Sequence, residues 1–368
     1  MSVVIAGAAE SDLGQVAPGT TPEDLMAQAS LRALAACGLT PADVDGLFAA
    51  STQLPWASVS LGQALRTRPR YSDSTQLGGG SALAHLHHAR TAIAAGACDV
   101  ALIAYGSTQR SVGRAAASVQ ERDLYEAPYR PPLPIAAYAL AAARHMHEFG
   151  TTPKQLAAVA VSARAWAQGN ERAWVREELT VDDVLAAPRV CDPLGVRDCC
   201  LVTDGGGALV LMAEERAHAL GLTEGVRVLG VAEAHSHRHI TAMPSLVHTA
   251  ASESGARAFA EAGLGVGDVD SAQLYDAFTI TPILFLEDLG FCAKGDGGPL
   301  AESGALAPGG VLPTNTNGGG LSYQHPGMNG MLMLIEAVRR LREEGDEVAL
   351  VHGNGGVLST QCTAILGR

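Results

Sequence analysis

A tyrosine and a histidine lie two residues apart in a glycine-rich stretch, residues 314–333, which contains five glycines and a proline. Tyr323 and His325 can each donate, accept or transfer a proton. Glycine allows positive φ angles and close approach of a ligand to the backbone, so such a loop can offer amide donors to a carbonyl or an anion. The alternative is a tight turn between a strand ending at residues 310–312 and a helix beginning near Met331. The two reactive side chains favour a site.

Histidines also form two other groups in the sequence. His85 and His88 are one turn apart on a predicted helix, with His87 between them. The pair could bind a metal, but no acidic residue near it in the sequence completes a ligand set, so we predict a packing or interface role and no metal site. The second group is His235, His237 and His239, which alternate with other residues. On a strand they would share one face, and we predict a solvated or interface face rather than a proton shuttle or a substrate entrance.

The cysteines predict reduced thiols. Seven cysteines, an odd number, occur without a C-x-x-C pair or another metal-ligand spacing. Cys362 lies in the predicted last strand and Cys98 between a helix and a strand, positions typical of small buried side chains. Cys199 and Cys200 precede another predicted strand and are also interpreted as structural.

Composition excludes several classes of protein. The 368 residues are 47% hydrophobic and 17% charged, enough for a large core in two or three domain-sized units. The net charge of −13 argues against nucleic acid or an anionic membrane as the main partner. The N-terminus lacks the features of a signal peptide, and no apolar run approaches the ~20 residues that span a bilayer. We therefore expect a cytoplasmic protein without membrane association.

The elements that must position the reactive residues alternate between strand and helix. Strands are predicted at residues 3–8, 46–49 and 99–106, with helices at about 22–37 and 81–95. Such alternation is typical of a mostly parallel sheet covered by helices.

The chain is internally duplicated. Residues 29–47 match residues 254–272 at a shift of 225, with Arg32 on Arg257 and Gly38 on Gly263. A triple-glycine turn before a helix also occurs in both parts, at residues 78–80 and 318–320. The sequence therefore predicts two homologous halves.

A helical excursion separates the halves. Residues 107–225 contain several arginines, a Pro-Pro-Leu-Pro turn and predicted helices at 135–148 and 153–167, before a strand at 205–211. A functional lid and an oligomerisation arm are both compatible with this segment.

Five motifs follow one another along the chain: P-L-G-V-R-D-C-C-L-V-T-D-G-G-G-A, Y-D-A-F, N-T-N-G-G-G-L-S, Q-H-P-G and H-G-N-G-G. Together they resemble the thiolase superfamily, nearest to its sterol-carrier-protein-type, thiolase-like lipid-transfer branch. The resemblance implies an α/β thiolase fold, with two duplicated βαβαβ-type halves packed as a five-layer αβαβα sandwich and a helical loop-domain insertion. It assigns residues 1–106 and about 200–225 to the first half, 107–199 to the insertion and 226–368 to the second half.

Both cysteines of a thiolase site are absent. Gly79 stands where the family has its acyl-accepting cysteine, and Gly353 where it has the acid-base cysteine. Gly79, Gly80 and Ser81 match the family's nucleophile turn, and Ser81 has no evident partner base in the sequence. The resemblance therefore implies chemistry without a covalent acyl-enzyme.

The other half of the family's site is retained in altered form. His325 matches the oxyanion-hole histidine, and Tyr275 replaces the asparagine that cooperates with it. The resemblance to thiolase-like steroid aldolases implies that Tyr275 and Tyr323 transfer protons while His325 holds the enolate oxygen. For each tyrosine, the alternative is a packed ring. Asp276 is expected to orient backbone. Further amide donors could come from Asn315, Asn317, Asn329 and, ranked last, Asn354.

The expected reaction is retro-aldol cleavage of a β-hydroxy acyl-CoA, most economically a steroid or bile-acid side-chain ester, through a thioester enolate. The alternative is a non-catalytic acyl-CoA- or lipid-binding subunit, or an acyltransferase-complex subunit. No bound cofactor is expected, since coenzyme A is part of the substrate. The resemblance further implies a homodimer and a separate small zinc-ribbon/OB-fold partner protein.

Overall fold

Eleven strands form most of the framework. The computed structural model of the protein describes residues 1–113 and 125–368. Its strands are β1 (Val3–Glu10), β2 (Gly46–Ala50), β3 (Tyr71–Asp73), β4 (Val100–Ser107), β5 (Arg189–Cys191), β6 (Leu194–Gly195), β7 (Gly205–Ala213), β8 (Val226–His235), β9 (Ser271–Leu274), β10 (Val348–Gly355) and β11 (Thr360–Gly367).

Helices connect the strands and cover them. They are α1 (Pro22–Ala36), α2 (Ala57–Leu65), α3 (Ser81–Ala94), α4 (Gln109–Val112), α5 (Ile135–Phe149), α6 (Pro153–Gln168), α7 (Val181–Leu185), α8 (Glu214–Ala219), α9 (Ala251–Ala262), α10 (Ile280–Asp288), α11 (Gly297–Glu302) and α12 (Gly330–Arg339). None of the helices in these two described ranges is long and apolar enough to cross a bilayer.

The main sheet is mixed, not mostly parallel as the alternating pattern predicted. Nine strands run in the order β3-β2-β4-β7-β1-β8-β11-β10-β9. Only β2–β3, β2–β4 and β9–β10 pair in parallel. Strands β10 and β11 are joined by a short turn, which requires an antiparallel pair. The local pattern identified the strands, but the direction of each depends on its connection.

The two halves repeat one another about the centre of this sheet. The order β2-β4-β7-β1 in the first half is mirrored by β9-β10-β11-β8 in the second, and the halves join through two residue pairs of β1 and β8. Helices α1 and α9 end at equivalent glycines, Gly38 with φ 68° and Gly263 with φ 69°. Such left-handed residues stop a helix at little cost only when they are glycine. The predicted duplication is confirmed.

The halves enclose a shared layer of helices. Helices α3 and α12 contact one another, and each contacts strands of both halves. Helix α1 covers the opposite face of the first half, and α9 covers that of the second. With the first-half and second-half parts of the nine-stranded sheet counted as separate layers, the order is helix, sheet, helix, sheet and helix, which is the predicted five-layer sandwich.

The segment between the halves contributes α5, α6 and α7 and the small β5–β6 ribbon. The predicted helices at 135–148 and 153–167 are present as α5 and α6. The proposed domain boundaries at 106, 199 and 225 stay predictions, and part of the insertion lies outside the described residues. The strand predicted at 310–312 is wrong: these residues form a turn in which Val311 is exposed.

Candidate active site

A cleft of about 1090 Å³ opens between the insertion and the two halves. Gly79, Tyr275, His325 and Asn354 line it from the sandwich. Its other wall is largely apolar and comes from the insertion and neighbouring loops: Leu133, Ile135, Val175, Leu179, Val190, Val196, Leu201, Val202, Phe278 and Leu321. A concave, mostly apolar surface with a few convergent polar groups is typical of a small-molecule site.

The backbone after β9 fixes Tyr275. Its amide donates to the carbonyl of His352 on β10 at 3.0 Å, and the hydroxyl of Thr281 donates to its carbonyl at 2.8 Å. The side chain is 4% exposed. Burial raises the pKa of Tyr275 well above its ordinary value, so the phenol is protonated at neutral pH.

The ring of Tyr275 fills the space beside Gly79. A Cβ at position 79 would lie 2.2 Å from Cε2 of Tyr275 and 2.4 Å from the carbonyl oxygen of Asn354. Carbon atoms do not approach so closely, so this conformation admits no side chain at position 79. Position 79 therefore cannot hold an acyl-accepting side chain while the ring of Tyr275 occupies this space.

His325 faces Tyr275 across the cleft. Its Nε2 lies 3.1 Å from the Tyr275 hydroxyl, and its Nδ1 has no hydrogen-bond partner among the described residues. Burial lowers the pKa of His325 to about 4, so the imidazole is neutral at neutral pH. A neutral imidazole carries one N–H and one lone pair, so Nε2 can accept from the phenol or donate to its oxygen, depending on the tautomer.

Two contacts hold the segment that carries His325. Its amide donates to the Thr203 hydroxyl at 2.9 Å. The Tyr105 hydroxyl accepts from the amide of Met328 at 3.1 Å and donates to the carbonyl of Pro326. Tyr105 lies on β4 and Thr203 lies just before β7, two neighbouring strands of the first-half part of the sheet, so the site is assembled across the junction of the halves.

Asp276 orients backbone, as predicted. Its carboxylate accepts from the amides of Gly320 at 2.7 Å and Leu321 at 3.1 Å. A Cβ at position 319 would lie 2.1 Å from one of its oxygens, so the loop needs glycine there. Burial raises the pKa of Asp276 to about 6. The carboxyl group does not line the cleft and acts on the site through the loop.

The structure does not bring Tyr323 to Tyr275. The Tyr323 hydroxyl donates to the carboxylate of Glu10, 2.7 Å from the nearer oxygen, and lines a different cavity of about 570 Å³. Burial raises the pKa of Tyr323, and the adjacent Glu10 carboxylate raises it further. Arg172 pairs with the same carboxylate at 2.5 Å. Tyr323 and His325 are two residues apart in a tightly turned loop and contact different groups, Glu10 and Tyr275, which sequence spacing could not show.

Four other predicted residues build the turns around the cleft instead of lining its reactive end. The Oδ1 of Asn317 accepts from the amide of Gly319 at 2.8 Å. The Ser81 hydroxyl donates to the carbonyl of Gly78 at 2.7 Å. A Cβ at Gly353 would lie 3.2 Å from the Cα of Gly80. The Asn317 contact closes the second glycine turn, and the Ser81 and Gly353 contacts close the first and pack it against the end of β10.

Sequence reasoning missed Tyr138 and undervalued Asn354. The Asn354 side-chain amide donates to the Tyr138 hydroxyl at 2.9 Å, and that hydroxyl donates to the carbonyl of Gly356 at 3.1 Å. The rings of Tyr138 and Phe278 are 4.4 Å apart. The H-G-N-G-G motif was a signal for Asn354. Tyr138 lies on α5 of the insertion, whose packing no sequence motif indicated.

The cysteines near the cleft do not substitute for a missing nucleophile. Cys200 lines the cleft, and Cys362 lies behind Gly80. Burial raises the pKa of both thiols, so neither is a thiolate at neutral pH.

Acidic residues distant in sequence accompany the helix histidines, contrary to the expectation. His88 contacts Asp73 of β3 and Glu233 of β8, and His87 contacts Glu233. His85 is buried between Phe48 and His88, with its ring centroid 6.0 Å from that of Phe48 and 6.4 Å from that of His88. Strand β8 ends at His235, so His237 and His239 do not continue its face.

Comparisons with known proteins agree with this arrangement. The family model described as Thiolase C-terminal domain-like matches residues 232–368. The 17-hydroxy-3-oxo-4-pregnene-20-carboxyl-CoA lyase of Mycobacterium tuberculosis is 34% identical, over 93% of this chain and 91% of that protein. The steroid side-chain-cleaving aldolase of Thermomonospora curvata is 32% identical, over 93% and 92%. The solved Ltp2-ChsH2(DUF35) aldolase superposes with a TM-score of 0.89 at 29% identity, covering 100% of this chain and 98% of that one. The chain belongs to the thiolase superfamily, in its sterol-carrier-protein-type, thiolase-like branch near the steroid side-chain-cleaving aldolases.

Proposed function

We propose that the protein is a carbon-carbon lyase that cleaves a β-hydroxy acyl-CoA thioester by a retro-aldol reaction, with a steroid side-chain ester as substrate. The observation that carries the proposal is the phenol of Tyr275, which fills the space beside Gly79 and lies 3.1 Å from His325. A site with this pair can move protons and has no thiolate to accept an acyl group. The names of the two relatives and of the solved aldolase support this chemistry.

In the proposed reaction, Tyr275 and His325 together take up the proton of the substrate β-hydroxyl. Tyr275 accepts the proton of the substrate β-hydroxyl while its own phenolic proton passes to Nε2 of His325. The Cα–Cβ bond breaks, its electron pair forms the thioester enolate, and the β-carbon leaves as a ketone or aldehyde. His325 is then an imidazolium as the enolate becomes negative, which stabilises that charge in a water-poor site. The proton returns through Tyr275 to Cα, so no net proton is gained or lost.

The cleft wall supports a bulky apolar acyl group. Val190, Val196 and Val202 line the cleft yet are 46–52% exposed. Exposed apolar side chains gathered on a concave surface are typical of a ligand site. Arg110 and Arg197, also on this wall, are suited to the phosphates of the coenzyme A portion, which enters as part of the substrate. The proposal includes no bound cofactor and no catalytic metal.

The assembly is also proposed by analogy. The solved aldolase pairs Ltp2 with ChsH2(DUF35), as its name states. We infer that this chain works as a homodimer with a small zinc-ribbon/OB-fold partner.

The reaction is tested with the 17-hydroxy steroid carboxyl-CoA ester named for the mycobacterial relative, with and without the partner. We expect a 17-ketosteroid and a shortened CoA thioester. Tyr275→Phe should lower kcat/KM by roughly 10²- to 10⁴-fold, the usual contribution of a positioned proton-transfer group. Tyr323→Phe should stay within about threefold of the wild type, because its hydroxyl binds Glu10 outside the cleft. Tyr71→Phe on the edge strand β3 is the matched control.

Other results would contradict these assignments. Full activity of Tyr275→Phe would remove the mechanism, and a large loss in Tyr323→Phe with an unchanged melting temperature would make Tyr323 catalytic. No cleavage with the partner present would favour a non-catalytic acyl-CoA-binding subunit.

A further inference from the structure

Three imidazoles and two carboxylates meet on the surface where the halves join, outside the cleft. His87 and His88 lie on α3, Asp73 ends the edge strand β3, and Glu233 and His235 lie at the end of β8. One ligand atom from each of His87, His88 and Glu233 lies within 4.8 Å of the other two. Imidazole nitrogens with a carboxylate oxygen are a ligand set that Zn²⁺ binds in proteins.

The two adjacent histidines direct ring nitrogens to the same carboxylate oxygen. His87 Nδ1 is 2.8 Å and His88 Nε2 is 3.3 Å from Oε1 of Glu233. On the other side of the carboxylate, His235 Nε2 is 3.6 Å from Oε2. A cation at Oε1 would therefore have three ligand atoms at hand, from His87, His88 and Glu233, and the ring of His235 would have to turn around the carboxylate to supply a fourth.

Asp73 gives His88 the orientation of a metal ligand. Its Oδ2 lies 2.6 Å from His88 Nδ1. A metal ion at Nε2, the nitrogen that faces Glu233, would displace the proton there while Asp73 keeps the proton on Nδ1. Metal-binding histidines commonly donate their other N–H to a carboxylate in this way.

The local charges favour a cation. Two carboxylates, those of Asp73 and Glu233, lie beside the imidazoles of His87 and His88. The nearby arginines are engaged elsewhere: Arg90 pairs with Glu261, and Arg257 donates to the backbone carbonyl of Glu233.

We propose that His87, His88 and Glu233 form a zinc-binding site, with His235 as fourth ligand and Asp73 orienting His88. Binding would release the proton shared between His88 and Glu233 and would tie α3 of the first half to β8 of the second. The role is structural, because none of these five residues lines the cleft. Nitrogen donors make Mg²⁺ and Ca²⁺ poor competitors.

The test titrates the full-length, chelator-treated protein with ZnCl₂ by calorimetry at pH 7.5. We expect one equivalent to bind, with at least tenfold weaker affinity in His88→Ala and in the nearly isosteric Glu233→Gln. Asp73→Asn should weaken binding by roughly 10- to 100-fold, as expected for a carboxylate that orients a ligand. His218→Ala, which removes an exposed histidine on α8, is the matched control and should bind as the wild type does.

A second measurement covers variants that fold poorly. Zinc should raise the melting temperature of the wild type and of His218→Ala but not of Glu233→Gln, because a ligand stabilises only the state that binds it. Co²⁺ should give the intense visible absorption of a tetrahedral site in the wild type. Equal zinc affinity in the wild type and Glu233→Gln, or binding lost equally in His218→Ala, would overturn the proposal.

Discussion

Gly79 and Tyr275 depend on one another. In the family, position 79 carries the acyl-accepting cysteine, and here the ring of Tyr275 takes up that volume. Under the proposed function, Gly79 leaves no side chain to accept an acyl group and Tyr275 supplies a proton-transfer group at the same point. A reversion at either position alone would therefore not restore a thiolase site.

Gly79→Ala should destabilise the protein by roughly 1–3 kcal/mol, the usual cost of overpacking a core, and should greatly reduce lyase activity. In a Tyr275→Ala background the same change should cost less, because the ring contact at 2.2 Å is gone while the contact with Asn354 remains. Urea unfolding of the four proteins measures this coupling.

Gly267→Ala is the matched control, since a Cβ there would meet no atom within 4 Å. Equal costs of Gly79→Ala in the two backgrounds would show that the ring and position 79 do not compete for space.

The glycine-rich loop is the element that presents His325. A π-helical turn, Gly319–Tyr323, directs Tyr323 to Glu10 and leaves His325 facing the cleft. The buried carboxylate of Asp276 fixes this turn through two amides. The loop therefore positions His325 by main-chain contacts instead of by packing of large side chains.

Asp276→Ala should lower kcat by about 100-fold and destabilise the protein by roughly 2–3 kcal/mol, because two buried amides lose their acceptor. Asp276→Asn keeps one acceptor and should recover part of both losses. Steady-state kinetics and urea unfolding give the two quantities. A normal kcat in Asp276→Ala, despite lower stability, would mean that the turn does not position His325.

The sequence predicted where helices and strands lie, but not the direction in which each strand runs in the sheet. The capping box of Thr21 and Asp24 begins α1 at the predicted place, and the glycines at its end and at the end of α9 stop both helices. These signals are local, since they depend on hydrogen bonds within one turn. The antiparallel pairing of β7 with β1 and β4 depends on a connection through the insertion, which no local signal encodes.

The molecule buries several histidines in different layers of the fold. Burial lowers the pKa values of His85, His325 and His352 to about 4 each. Histidine pKa values in the unfolded chain are near 6.5, so between about pH 6.5 and 4 these three groups bind more protons in the unfolded chain than in the folded protein. The contribution of these groups to stability is therefore lost progressively as the pH falls through that window.

The free energy of unfolding of the wild type should consequently decrease from pH 7.5 to pH 4.5. In His352→Gln this decrease should be smaller than in the wild type by roughly 2–3 kcal/mol. Urea unfolding at both pH values measures the difference, with His147→Gln, an exposed position on α5, as control. His352 hydrogen-bonds Thr363 and Gln361 at 2.9 Å, so its substitution also changes stability independently of pH. The quantity to compare is therefore the difference in unfolding free energy between the two pH values within each variant. Identical pH dependence in His352→Gln and the wild type would contradict the assigned shift.

The sequence by itself determined the duplication, the thiolase-type fold and the loss of both cysteines, because repeats, caps and motifs are written in short stretches of the chain. It also indicated Tyr275 and His325. Only the tertiary structure decided that these two side chains meet, that Tyr323 turns away to Glu10, and that Glu233 and Asp73 reach the helix histidines. These contacts join residues between 15 and 313 positions apart, and their geometry depends on how strands and layers pack. Chain order alone does not specify that packing.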